Sequence, residues 1–134
     1  MRYATYAVLG GAGALAGVIG TFLVPQQVGR FGYLSSVVAV GGNLMIGMIG
    51  GWGTGRVGGA LAPFSGWFIA VGMLATEPFV ARGGDVVIPG SLGSAPGVVH
   101  AAWAFMGLGV VASIVPILLT SRYTARVNPP KSLS

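Results

Sequence analysis

The charged residues of this chain are so few and so widely spaced that long apolar stretches lie between them. Its 134 residues include seven Lys or Arg and two Asp or Glu, which together make up 7% of the chain. A soluble domain has about 25% charged residues, because its surface must be hydrated. Here 54% of the residues are hydrophobic instead. A chain of this composition cannot cover a globule with polar groups, and it is suited to a hydrocarbon solvent.

Four apolar runs have about the length of 20 residues that a transmembrane helix needs. They predict spans at about 3–24, 34–52, 59–80 and 98–120. The second and third runs are separated only by a glycine-rich hairpin at 53–58 with Arg56 at its tip, so these two helices are expected to be antiparallel neighbours. Pro63 is expected in the first turn of the third helix, where proline is tolerated. The chain is therefore predicted to be a single all-α integral membrane domain.

The segments outside the predicted spans are assigned as connecting loops and terminal segments. The segment 81–97 is predicted to be an outer loop, with a turn at Pro89-Gly90 that makes it a folded cap on the membrane face. The segment 121–134 is polar, and we expect it to be a mobile cytoplasmic tail. We interpret the first run as a span and not as a removed signal peptide, because three more apolar runs follow it.

The basic residues predict the orientation in the membrane. With four spans, both termini and the central hairpin share one side. That side holds five basic residues, Arg2, Arg56, Arg122, Arg126 and Lys131. The other side holds Arg30 and Arg82 together with both acids, Glu77 and Asp85. Because Lys and Arg are enriched in cytoplasmic loops, we expect both termini in the cytoplasm and a multi-pass protein of the bacterial inner membrane. The net charge of +5 then serves orientation against anionic lipid, and nucleic acid is not expected as a partner.

Glycine is the most prominent residue type, with 25 copies. Gly13 and Gly17 in the first span, and Gly47 and Gly51 in the second, are spaced four apart and so share a helix face. Glycine at this spacing lets another helix approach closely in a membrane. These four positions are the predicted helix-packing sites. The partner helix is either internal or foreign, and we expect at least one of the grooves to hold a helix of a larger subunit.

Three polar residues in or beside the spans are candidates for function, because polar groups in a bilayer are costly. Asn43 lies mid-span, where its amide can reach a neighbouring helix or act as a ligand. Glu77 closes the third span and His100 opens the fourth, so the two flank the same loop. Together they can form a proton-handling or cation site. Separately, Glu77 can pair with an arginine, and His100 can be satisfied by water and headgroups.

The residues needed for enzyme chemistry are scarce. The chain has no cysteine, one histidine and two carboxylates. This set cannot supply bis-histidine haem ligation, a histidine-rich zinc site or a carboxylate-bridged pair of metals. A serine nucleophile would need His100 as its base, and no nucleophile-elbow motif is present. We therefore predict no catalytic residue, no metal site and no cofactor, and we expect that the protein is not an enzyme.

The order of features from Asn43 to Gly107 is similar to that of a known family. The matching pieces are Gly42-Asn43-Leu44, the stretch Gly-Ala-Leu-Ala-Pro-Phe-Ser-Gly-Trp at 59–67, and the loop that contains Gly-Asp-Val-Val-Ile-Pro-Gly at 84–90. They resemble an uncharacterised family of small actinobacterial four-span membrane proteins. The resemblance implies the four-span topology and supplies no mechanism.

Two functions are consistent with these observations. The first is a non-catalytic accessory subunit of a larger inner-membrane complex, because the chain has little outside the bilayer and has glycine faces suited to docking. The alternative is a small self-associating transporter or channel subunit for a small solute or proton, with Asn43, Glu77 and His100 along its path. Asn43 discriminates between them: a foreign helix or lipid beside it favours the subunit, and a wet cavity favours transport.

Overall fold

The computed structural model describes residues 2–24, 33–74 and 96–127, and four helices contain nearly all of them. These helices are α1 (Arg2–Leu23), α2 (Leu34–Thr54), α3 (Val57–Leu74) and α4 (Pro96–Val127). Each is long and apolar enough to cross a membrane. No strand occurs within these described ranges. The predicted all-α, four-span fold is confirmed.

The helix bounds agree with the predicted spans except at their ends. The helices α1 and α2 begin and end within two residues of the predicted 3–24 and 34–52. The predicted end of the third span at 80 lies outside the described residues, as does most of the predicted outer loop. Pro96 and Gly97 were assigned to that loop but belong to α4. Proline is accepted at a first helical position because the N–H that it lacks has no partner there.

The helix α4 is longer than predicted. The span was expected to end at 120, with a mobile tail from 121, but the helix continues to Val127. Neither glycine nor proline interrupts residues 121–127, and Arg126 in the last turn is favourable beside the negative end of the helix dipole. Apolarity indicates where a span leaves the hydrocarbon, whereas a helix ends where its backbone is interrupted. The remaining tail residues lie outside the described ranges.

A two-residue turn joins α2 to α3. Gly55 has a φ of 61° in the left-handed region, and its N–H donates to the carbonyl of Trp52. Glycine is favoured there because a side chain at that φ would be strained. The turn brings Gly50 of α2 against Gly59 of α3 so closely that a Cβ on either residue would overlap the other's backbone. The prediction that these helices are antiparallel neighbours is confirmed.

Pro63 was expected in the first turn of α3. It lies inside the helix instead, because α3 begins at Val57. Proline has no N–H to donate to the carbonyl of Gly59 one turn earlier. That carbonyl oxygen lies against the Cα of Gly50, where a side chain would overlap it. The two glycines therefore let the carbonyl that Pro63 leaves without its helical partner approach the α2 backbone, as a weak Cα–H donor can.

The four helices form a bundle in which α2 and α3 each contact all the others, while α1 and α4 barely touch. Tyr6 of α1 lies against Gly58 of α3, and Thr120 of α4 lies against Gly51 of α2. These contacts place the start of α1, the α2–α3 turn and the end of α4 at one end of the bundle. The even number of spans thus brings both termini of the helical part to the same side.

The centre of the bundle is formed by a few large side chains among small ones. Trp67 of α3 is 1% exposed, and its ring centroid lies 5.6 Å from that of Phe105 of α4. Ala39, Ala102 and Val71 complete this cluster. The large apolar side chains that point outward are exposed instead, among them Leu15, Phe22, Met45, Ile49, Phe68 and Leu118. In a multi-pass membrane protein this surface contacts lipid acyl chains.

Candidate functional site

The predicted packing glycines of α1 lie against α3. A Cβ on Gly13 would overlap the backbone of Pro63, and a Cβ on Gly17 would lie 3.0 Å from the carbonyl oxygen of Trp67. Gly66 of α3 contacts the backbone of Gly10 in the same way. The numbers rise together along both helices, so α1 and α3 are parallel. They interlock through small residues spaced one turn apart, as expected for close packing in a membrane.

The predicted packing glycines of α2 lie against α4. A Cβ on Gly47 would be 2.8 Å from Cγ of Pro116, and a Cβ on Gly51 would overlap the hydroxyl of Thr120. This pair of helices is also parallel. Pro116 and Thr120 are themselves buried, so the proline ring and the threonine side chain fill the two glycine notches.

These contacts correct the expectation that a helix of another subunit fills one of the four grooves. Gly13, Gly17, Gly47 and Gly51 are all occupied by helices of this chain. The space over Gly13, Gly47 and Gly51 is too narrow for one added carbon, and the space over Gly17 is tight, so no further helix can enter these notches. The small residues identify sites of close packing, and within this bundle the packing is internal.

Asn43 forms the interhelical hydrogen bond that its position allowed. Its Nδ2 donates to the carbonyl oxygen of Gly109 in α4 at 3.0 Å, and the side chain is buried. The same oxygen accepts from the Ser113 hydroxyl at 2.8 Å. Asn43 thus faces neither a foreign helix nor lipid, and this environment by itself favours neither of the two functions.

Several buried polar side-chain atoms have no hydrogen-bond partner among the described residues, and no sequence pattern indicated them. They are Asn43 Oδ1, Trp67 Nε1, Thr120 Oγ1 and the hydroxyls of Ser35 and Ser36. The ring of Trp67 lies against Gly109, close to the Asn43 amide, with Cζ2 2.5 Å from a Cβ placed on that glycine. A donor on Trp67 and an acceptor on Asn43 therefore both lie beside Gly109. A tryptophan in an apolar run is typical of an ordinary core residue. Only the tertiary structure therefore shows that the Trp67 N–H is an unpaired donor beside α4.

The proposed pairing of Glu77 with His100 falls partly outside the described residues. His100 lies near the start of α4 with its side chain exposed. Glu77 belongs to the segment that the structure does not describe. Within the described ranges there is no group of three histidine, cysteine or carboxylate side chains. The pair remains a prediction.

An apolar groove runs along the outside of the bundle between the first halves of α2 and α4, at the end opposite to the α2–α3 turn. It has a volume of about 510 Å³. The residues that line it are Tyr33, Ser36, Val37, Val40, Gly41, Ala104 and Leu108. We call it the α2–α4 groove. Nothing lies within 4 Å of the position that a Cβ on Gly41 would take, in contrast to the filled glycine notches deeper in the bundle.

Sequence reasoning missed this groove, although part of its signal was present. Gly41 lies beside Gly42 and Asn43 and one turn after Val37, so it shares a face with an exposed valine. Its neighbour Gly42 contacts Cβ of Ala16 in α1. Two adjacent glycines therefore lie on different faces of α2, one internal and one external. The spacing alone does not show which face is which.

No protein-family model matches this chain, and neither a curated protein nor a solved structure does. The resemblance to the actinobacterial four-span family therefore stays a prediction. The candidate surface is an open apolar groove lined by Gly41, whereas the notches at Gly13, Gly17, Gly47 and Gly51 are filled by helices of this chain.

Proposed function

We propose that this protein is a non-catalytic accessory subunit of a larger complex of the bacterial inner membrane, and that the α2–α4 groove holds a transmembrane helix of a different, larger subunit. The single observation that carries the proposal is the groove itself. It combines small lining residues with a buried hydroxyl that has no hydrogen-bond partner among the residues that the structure describes. The accessory role predicted from the sequence is thus kept, and its docking surface moves from the filled glycine notches to this groove.

The shape of the groove suits a helix. Gly41 and Ala104 form its floor, and Val37, Val40 and Leu108 stand around them. In a bilayer, helices associate through close packing, because the lipid is as apolar as the side chains. A rigid helix with small residues can fill such a floor and gain dispersion contacts that mobile acyl chains make less well. We therefore expect the groove to bind a protein helix in preference to lipid acyl chains.

The chemistry of the groove adds a second reason. Ser36 lines it, and its hydroxyl is buried without a hydrogen-bond partner. An acyl chain has no acceptor to offer, and an unpaired buried polar group costs about 1–3 kcal/mol. Because the oxygen of this hydroxyl is itself covered, a helix of another subunit can pair it with a backbone carbonyl or a polar side chain only when the Ser36 side chain rotates towards the groove. We therefore expect the partner helix to present an acceptor opposite Ser36.

The alternative function is a small transporter or channel that self-associates. A path through the middle of one bundle would have to pass Trp67, Phe105 and the Asn43 bond to Gly109, which fill that region. A path at an interface between copies would place a second copy in the α2–α4 groove. The identity of the occupant thus separates the two functions.

Site-specific photo-crosslinking in intact cells identifies that occupant. A photoreactive amino acid replaces Val37 in the groove or, as the control, Ile19 on α1. The two side chains are exposed to similar extents, 56% and 53%, and each lies about one turn from the same end of the bundle. We expect the probe at Val37, and not the probe at Ile19, to form one discrete adduct with a larger polypeptide that mass spectrometry identifies as a membrane protein.

A pair of glycine variants then tests whether the groove itself is required. Gly41 and Gly72 both have nothing within 4 Å of an added Cβ among the described residues, so a side chain at either position starts in open space. Gly41→Leu fills the groove and is expected to abolish the adduct, whereas Gly72→Leu on α3 leaves it unchanged. An adduct of twice the chain's own mass, or no adduct at Val37, contradicts the accessory role. The first of these results supports the self-associating transporter or channel.

A further inference from the structure

A second open feature lies at the other end of the bundle, beside the turn between α2 and α3. It is a cavity of about 200 Å³. Its lining residues are Thr5 and Tyr6 of α1, Gly53 and Thr54 at the end of α2, and Arg56 of the turn. We call it the Arg56 cavity. It shares no residue with the α2–α4 groove, and its role is independent of the proposed function.

The fold holds the walls of the Arg56 cavity in place. The turn is only two residues long, and the left-handed Gly55 directs the chain from α2 into α3. The Thr54 hydroxyl donates to the carbonyl of Gly50 at 2.7 Å, so it offers the cavity lone pairs and not its proton. The Tyr6 hydroxyl lies 3.5 Å from the position of a Cβ on Gly58. Tyr6 is thus packed across the start of α3, with its phenol at the cavity.

The donors of the cavity suit an anion. The Arg56 guanidinium carries five N–H donors in a planar fork that matches phosphate geometry, and the Tyr6 phenol can add one more. No carboxylate is present to compete for Arg56 within the described residues, because both acids of the chain lie between 75 and 95. Arg122 and Arg126, near the end of α4, lie at the same end of the bundle. Among the described residues, this end carries positive charge and no carboxylate side chain.

The surroundings place the cavity at the level of lipid headgroups. Tyr3 is 90% exposed and Trp52 is 58% exposed at this end of α1 and α2. Exposed Tyr and Trp are enriched where a span meets the membrane surface. About one turn further into the bilayer the same two helices expose Val8 and Ile49, which are apolar. A molecule with a phosphate at Arg56 would therefore have hydrocarbon surface next to it.

We propose that the Arg56 cavity binds the phosphate of an anionic phospholipid headgroup, with Arg56 as the main contact and the Tyr6 hydroxyl as a second donor. The acyl chains of that lipid lie along the exposed apolar surface of α1 and α2. A soluble phosphate compound offers the same group to Arg56 but has no acyl chain to contact the apolar surface. A phospholipid is therefore the ligand that fits both the Arg56 cavity and the apolar surface beside it.

The test uses the full chain, purified in mild detergent and freed of lipid. Phosphatidylglycerol or the zwitterionic phosphatidylcholine is added in steps, and native mass spectrometry counts the bound lipids. We expect phosphatidylglycerol to bind more tightly than phosphatidylcholine. Arg56→Gln should weaken phosphatidylglycerol binding by about fivefold, the effect of one basic side chain at a membrane surface. Tyr6→Phe, which removes only the hydroxyl, should weaken it about threefold, in line with one lost hydrogen bond.

Arg126→Gln is the matched control, because it removes the same charge at the same end of the bundle but does not line the cavity. We expect less than a twofold change from it. Equal effects of Arg56→Gln and Arg126→Gln would show non-specific charge attraction and overturn the site. A separate titration with inorganic phosphate distinguishes the source of the ligand. If millimolar phosphate displaces the lipid completely and phosphatidylglycerol has no advantage over phosphatidylcholine, the lipid assignment is wrong.

Discussion

At the scale of single residues, the carbonyl of Gly109 is the point where the polar groups of the bundle centre meet. It accepts from Asn43 of α2 and from Ser113 one turn later in its own helix. Asn43 therefore joins α2 to α4 by a buried hydrogen bond. Hydrogen bonds of this kind in membrane proteins are worth about 0.6 kcal/mol on average and at most about 1.7 kcal/mol.

Two substitutions at Asn43 separate the stabilisation by its hydrogen bond from the cost of placing a carboxyl group at this position. Asn43→Leu removes the donor together with the unpaired Oδ1, so we expect a loss of only about 0.6 kcal/mol in the free energy of unfolding. Asn43→Asp keeps the shape but replaces the donor by an acceptor facing the Gly109 carbonyl. Because a carboxyl group in the bilayer centre costs about 3 kcal/mol, we expect Asn43→Asp to lower the free energy of unfolding more than Asn43→Leu does. Unfolding in mixed micelles by increasing SDS measures both. Equal losses for the two variants would mean that water reaches Asn43.

At the scale of helices, the bundle is held by two parallel pairs, α1 with α3 and α2 with α4. Each pair is formed by helices that are not consecutive in the chain. In both, glycines accept backbone atoms, a proline ring or a threonine side chain from the partner. The consecutive helices α2 and α3 add the Gly50–Gly59 contact next to their turn. Small residues thus hold α1 and α2 against α3 and α4.

Neighbouring glycines of α1 test this packing with a built-in control. Gly13→Ala places a methyl group where the Pro63 backbone already lies, so α1 and α3 must move apart. We expect it to destabilise the fold by about 1–3 kcal/mol, as overpacking does. Gly11→Ala points into open space, so we expect it to be neutral or to stabilise α1 by up to about 1 kcal/mol, because alanine favours the helix over glycine. SDS unfolding or thermal unfolding in detergent compares them. If the two variants were equally stable, the close α1–α3 contact would not exist.

At the scale of the whole molecule, the two ends of the bundle differ in charge. The helices bring Arg56, Arg122 and Arg126 to one end, the end at which α1 begins. The exposed His100 lies near the opposite end, where α4 begins. A bundle with basic residues concentrated at one end has a preferred orientation, because positively charged segments stay in the cytoplasm. The side of the membrane remains a prediction from this charge difference.

Cysteine labelling checks the orientation, and the absence of native cysteine makes it simple. Ser94→Cys lies in the predicted outer loop, and Ser132→Cys lies in the predicted cytoplasmic tail. A membrane-impermeant maleimide added to intact cells should label Ser94→Cys only. After the cells are permeabilised, it should label both. Labelling of Ser132→Cys alone in intact cells would reverse the orientation. It would also place the Arg56 cavity at the outer leaflet.

The amino-acid sequence by itself determined the number, the type and most bounds of the helices. These depend on the length of uninterrupted apolar sequence, which is a local property that can be read along the chain. It also indicated that glycines such as Gly13 and Gly47 pack against helices. The hydrogen-bonding role of Asn43 followed too, because an amide in hydrocarbon needs a partner.

Only the tertiary structure decided which helix each glycine meets, and this changed the proposed docking site. Glycine at a spacing of four permits a close approach but does not choose the partner, which depends on contacts between residues far apart in sequence. Gly13 and Gly47 met helices of their own chain, whereas Gly41 was left open. The same holds for the Arg56 cavity, whose walls come from the start of α1 and from the turn after α2. Their proximity follows from the packing of the bundle and is not encoded in any local pattern.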